Sequence, residues 1–150
     1  MIRKYTLAAV MILMPSVTVL AETDPGTPPR PKVVARECVQ LINVVTQRAT
    51  TAVDIRAKHC VAAINALLQD GADRRAHGLA QRCATGIGES ARRFNERISA
   101  IAERCLALLR ELEAPQELMD AVRRAAHAAS DRMQAHVDRA LHAIREALQG

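Results

Sequence analysis

The sequence predicts an all-α fold: a long antiparallel helical hairpin stapled by two disulfides, with a third helix completing a three-helix bundle. Three observations carry this prediction. Between Pro31 and Pro115 there is no proline, and Ala, Leu, Ile, Arg, Glu and Gln dominate, a composition that favours long helices. Apolar residues recur at spacings of three and four along the whole stretch, as one face of a helix requires. Four cysteines sit symmetrically about a glycine: Cys60 and Cys83 lie equally far from a bend at Gly71–Ala72, and so do Cys38 and Cys105.

The first 21 residues are expected to lie outside the fold. Arg3 and Lys4 precede an apolar run from Thr6 to Leu20 that ends in Val19-Leu20-Ala21, a small-x-small site for cleavage before Glu22. This reads as a secretory signal, shorter than the roughly 20 residues of a permanent span. Residues 22–32, "ETDPGTPPRPK", carry four prolines and no apolar period, and are expected to form a disordered linker. The helical bundle is expected over residues 33–150.

Helix 1 is predicted over about 33–69. Gly71 takes the left-handed conformation that closes it, and Asp73 caps the next helix. Helix 2 follows over about 73–113, with Gly86 and Gly88 as the place where it would kink or split. Helix 3 is predicted over about 115–149, with Pro115 at its first position and Glu117 in its first turn.

The cysteine spacing fixes the register. Cys38 and Cys60 are 22 positions apart, as are Cys83 and Cys105. That spacing is about six helical turns, so each pair shares one face of its helix. If helices 1 and 2 fold back about Gly71, the layers between the cysteines are nearly all apolar: Ile42 meets Ile101, Val45 meets Ile98, Ile64 meets Leu79, and the large Phe94 meets the small Ala49. The repeat is eleven residues, which gives a straight or slightly right-handed pair, unlike a heptad coiled coil. The predicted bridges are therefore Cys60–Cys83 and Cys38–Cys105, pairing being the default for an even cysteine set in an exported chain.

Helix 3 offers a stripe of Leu118, Val122, Ala125, Ala129, Met133, Val137, Leu141, Ile144 and Leu148. The expected receiving rows are Leu41, Val44, Ala52, Ile55 and Ala62 on helix 1 and Ala102, Leu106 and Leu109 on helix 2. If helix 3 did not fold back, those rows would drive formation of a homodimer.

Several function classes lose support at this level. Without residues 1–21, the chain sheds two of its 21 basic residues and none of its 16 acidic ones, and stands near +3. Arg alternates with Glu and Asp, and Phe94 is the one aromatic beyond the signal, so no basic stripe with stacking platforms for nucleic acid is expected. The sequence has no G-x-S-x-G, no H-E-x-x-H and no phosphate-cradling glycine loop, so no catalytic residues are assigned and no enzyme is predicted. A metal-handling role with zinc or copper would use Cys60, Cys83 and His59, but the two cysteine layers lie ~33 Å apart and cannot form one four-ligand site. No cofactor or metal is expected. Asp138, His142 and Glu146, and His127 with Asp131, stand at helical spacing and read as solvated faces. Arg56, alone in the apolar seam opposite Ile87, marks a possible pocket; the expectation is that its stem packs there while its guanidinium reaches out toward Glu89. The balanced Arg and Glu faces also argue against a membrane-surface or lipid-binding role. What stands is a periplasmic or extracellular scaffold, adaptor or chaperone-like module that binds a protein partner.

Overall fold

The computed structural model describes residues 30–149, so the predicted signal and nearly all of the predicted linker lie outside the described residues. Three helices, α1 (Pro31–Gln69), α2 (Asp73–Glu111) and α3 (Gln116–Ala147), pack pairwise into one bundle. α1 begins two residues before the predicted boundary because Pro31 takes its first position, where the missing N–H costs nothing. Pro115, by contrast, is the N-cap of α3 with ψ 145°, one residue outside the helix.

Both reversals use the same hydrogen-bond pattern. At the end of α1, Gly71 adopts φ +68°, its N–H donates to the Leu68 carbonyl at 3.0 Å, and the Ala72 N–H donates to the Leu67 carbonyl at 2.8 Å. These bonds satisfy carbonyls that a helix end leaves open. At the end of α2 the pattern recurs with Glu113 at φ 49°, where its N–H reaches Arg110 and the Ala114 N–H reaches Leu109. Asp73 does not cap α2: Ala72 is the N-cap without a side-chain bond, and Asp73 lies in the first turn. There its carboxylate suits the positive helix end.

α2 runs unbroken through Gly86 and Gly88. Packing on both sides compensates their low helix propensity: Ile87 between them is fully buried, and the Ser90 hydroxyl donates to the Gly86 carbonyl at 2.8 Å.

The core is one continuous column. Ile42, Ile64, Ile87, Ile98 and Leu109 fill the α1–α2 seam, and Val122 and Met133 of α3 close it. The stripe predicted for α3 faces inward, with Val122, Ala129, Met133, Val137 and Ile144 buried and Leu118, Ala125, Leu141 and Leu148 half-buried. The rows predicted on α2 are also covered, Ala102 and Leu109 being buried and Leu106 half-buried.

The row predicted on α1 is not. Leu41, Val44, Ala52, Ile55 and Ala62 are all exposed. α3 docks instead on the line Ala35, Ile42, Thr46, Thr50, Val53 and Ala57, all buried. The threonines explain the difference: Thr46 Oγ1 donates to the Ile42 carbonyl at 2.7 Å, and Thr50 Oγ1 donates to the Thr46 and Gln47 carbonyls at 3.0 and 3.1 Å. With their hydroxyls satisfied by their own helix, both present methyl groups to the core and behave as small apolar residues. A hydropathy reading takes them as polar and favours the larger aliphatics on the other side.

Candidate functional site

The α1–α2 seam places the predicted cysteines. Cys38 is bonded to Cys105 and Cys60 to Cys83, with Cα separations of 6.1 and 6.2 Å. Such distances lie inside the usual interaxial spacing of packed helices, 8 to 10 Å, and are reached only on the direct line of contact. Small residues fill the interior beside the bridges, where Ala57, Ala76, Ala80, Ala91 and Ala102 are buried. All four cysteines are buried, and no cysteine among the described residues is free.

Between the two bridges, Arg56 makes a third tie. Its Nη1 donates to the Gly86 carbonyl and to the Ser90 Oγ, both at 3.1 Å. Glu89, the expected partner, is held by Arg93 at 3.2 Å on the same helix, and the Arg56 guanidinium turns across the seam instead. The missing side chain at Gly86 makes room for it: a Cβ there would stand 3.4 Å from Arg56 Nη1. The backbone acceptor was not legible from sequence, because the signal was an absent side chain four positions before a serine.

The candidate ligand residues do not converge. His59 is exposed at the rim of an open groove of ≈ 510 Å³, and Cys60 and Cys83, bonded to each other, line that groove. His142 pairs with Glu146 at 3.2 Å, while Asp138 accepts from Gln134 at 2.8 Å. Among the described residues no three His, Cys, Asp or Glu side chains stand together as a metal site. His136 is a contact that sequence reasoning missed. Its Nδ1 lies 2.8 Å from Asp54 Oδ1, tying α3 to α1 across 82 positions of chain. Neither residue belongs to a recognisable motif, and only the register of α3, parallel to α1, brings them together.

The remaining feature is the outer face of α1. Leu41, Val44 and Ile55 are 48%, 47% and 50% exposed, and of the large apolar side chains only Leu108, on α2, is comparably open among the described residues. They lie on the side of α1 turned away from α3, on a helix whose position is fixed by two covalent bridges. No described helix is long and apolar enough to cross a membrane. Comparison of the chain with protein families, with characterised proteins and with solved structures finds no match.

Proposed function

We propose that the chain is an exported, non-enzymatic helical scaffold or adaptor that binds a protein partner, in the periplasm or outside the cell, through the outer face of α1. The observation that carries this reading is the row Leu41, Val44 and Ile55, which stays open after α3 has docked. Three half-exposed aliphatic side chains on one side of a single helix cost solubility unless something covers them, and exposed apolar area marks interaction sites. Rigidity supports the same reading. Two disulfides and the Arg56 tie hold α1 against α2 before any partner arrives, so little ordering entropy opposes binding. The disulfides also fit an oxidising compartment, where such bonds persist.

Two measurements test the proposal. Thiol titration of the unreduced exported protein is expected to find no free thiol. A photo-reactive residue at Val44 or Ile55 is expected to cross-link a discrete protein in the producing cell's envelope or medium, and one at Asp131, on the exposed side of α3, is not. An exported, fully oxidised protein that cross-links to nothing from either α1 position overturns the reading.

A further inference from the structure

We infer that Arg56 anchors a small-molecule site between the two bridges, whose ligand is a monocarboxylate with a short aliphatic body. The site belongs to the α1–α2 seam and does not depend on what covers the outer face of α1.

Its walls come from all three helices. In the register that Cys38–Cys105 and Cys60–Cys83 set, Val53 stands opposite Ser90, a layer with too little bulk to close the seam. The space left is a cavity of ≈ 290 Å³, lined by Ala49, Ala52, Val53 and Arg56 of α1, Ser90 of α2 and Met133 of α3. Val53 and Met133, 3% and 1% exposed, form its deep side. Ala52, which is exposed, stands at its mouth.

The polar end of this cavity is arranged for one kind of group. Arg56 Nη1 directs its hydrogens to the Gly86 carbonyl and the Ser90 Oγ, both at 3.1 Å, and these two bonds fix the guanidinium plane. The opposite edge, Nε and Nη2, presents two parallel N–H groups that match the two oxygens of a carboxylate. Among the described residues that edge has no protein partner. No carboxylate of the chain pairs with Arg56 there either, since Glu89 is bound to Arg93 and Asp54 lies against His136. The Ser90 hydroxyl donates to the Gly86 carbonyl at 2.8 Å, so it offers no further donor to a ligand.

The remaining lining selects the class of ligand. Arg56 is the one charged residue on the cavity, so its single fork neutralises a monocarboxylate and would leave a phosphate or dicarboxylate partly unmatched. Beyond the guanidinium and the Ser90 hydroxyl, the side chains of the wall are methyl groups and the adaptable Met133 thioether. Such a wall accepts an aliphatic body and gives a polar one nothing to bond. The volume falls at the small end of ligand pockets, which run from about 300 to 1,000 Å³, so the body is a few carbons and not a lipid chain.

Methionine methyl resonances give a local readout, because Met133 lines the cavity and Met119, on the same helix, does not. The probe is isocaproate, added to the oxidised full-length exported protein with labelled methionine methyls. The expected result is a saturable shift of the Met133 methyl, half-complete at about the millimolar level usual for so small a ligand, with the Met119 methyl unmoved. Isocaproamide, which keeps the shape and lacks the charge, and acetate, which keeps the charge and lacks the body, are each expected to bind at least about tenfold more weakly. Arg56→Met keeps an apolar stem and should weaken isocaproate by about tenfold while leaving isocaproamide unchanged. Ala52→Leu adds bulk at the exposed mouth and should weaken both. An unchanged helical circular dichroism spectrum verifies that each variant is folded. No Met133 shift at about 50 mM isocaproate, well above a millimolar Kd, overturns the inference. So does a shift that isocaproamide reproduces at the same concentration, or either variant binding isocaproate as tightly as the parent.

Discussion

Glu113 shows how a single residue limits the stability of a turn. It occupies the left-handed position that closes α2, at φ 49°, where Gly71 closes α1 at φ +68°. An L side chain in that region costs roughly 1 to 2 kcal/mol, partly offset because glycine loses more freedom on folding. Glu113→Gly is therefore expected to raise unfolding stability by about 0.5 to 1 kcal/mol, read as a higher urea midpoint with unchanged slope. The glycines inside α2 give the opposite test. A Cβ at Gly88 meets nothing within 4 Å, so Gly88→Ala should stabilise by nearly the full helix-propensity difference, about 1 kcal/mol. At Gly86 the new methyl stands 3.4 Å from Arg56 Nη1, in close contact, and any shift it forces on that guanidinium weakens its bonds to Gly86 and Ser90. Gly86→Ala should gain clearly less than Gly88→Ala. Equal gains would mean that the methyl fits beside Arg56 without disturbing its bonds.

At the level of the helices, the eleven-residue period governs what could be read from sequence. The α1–α2 register was legible because covalent chemistry marks it twice: cysteines equidistant from the Gly71–Ala72 bend leave one antiparallel alignment, and Cys38–Cys105 and Cys60–Cys83 are the bridges formed. The inward stripe of α3 was legible from spacing alone. The docking line on α1 was not, because hydropathy scores a residue type and not the state of its hydroxyl. Thr46 and Thr50 are polar by type and apolar in the packed bundle, each bonding a carbonyl one turn back. The same effect hid the exposure of the outer row, since Leu41, Val44 and Ile55 looked like the stronger core candidates. It also concealed Asp54 and His136, whose 2.8 Å contact follows from the side of α1 that α3 chooses. A direct check is Thr46→Val, which keeps the shape at a fully buried site. With no cross-helix bond lost, the change is expected to be neutral or stabilising by up to about 0.5 kcal/mol, whereas Thr46→Ala, which opens a gap against α3, should cost about 1 kcal/mol or more. A large loss in Thr46→Val would mean that the hydroxyl serves α3 and not its own helix.

For the whole molecule, the question is what keeps a bundle of small residues folded. Much of the buried seam is alanine and cysteine, and Phe94 is the one aromatic in the core. Small side chains let the helices approach closely, but each removes little apolar area from water, so hydrophobic burial per residue is low. Covalent constraint supplies the difference. In the chain-entropy account, the Cys60–Cys83 loop, with a sequence separation of 23, contributes about 3 kcal/mol. Cys38–Cys105 spans 67 positions, but its loop is already shortened once the inner bridge has closed, so it adds a similar amount and not the larger one its span implies. Together they reach about 6 kcal/mol, comparable with the entire stability of an ordinary domain, 5 to 15 kcal/mol. Reduction should therefore bring the bundle to the edge of unfolding while leaving much local helix, because the helices are intrinsically favourable. Helical circular dichroism alone would understate the loss, and with a single phenylalanine in the core a near-ultraviolet signal is of little use. Amide hydrogen exchange is the suitable measurement. In the oxidised protein, protection is expected to be highest along the α1–α2 seam between Cys38 and Cys60, and on reduction to fall there by several orders of magnitude, as about 6 kcal/mol implies. Seam protection unchanged by reduction would show that packing alone carries the fold and that export to an oxidising compartment is not a condition for it.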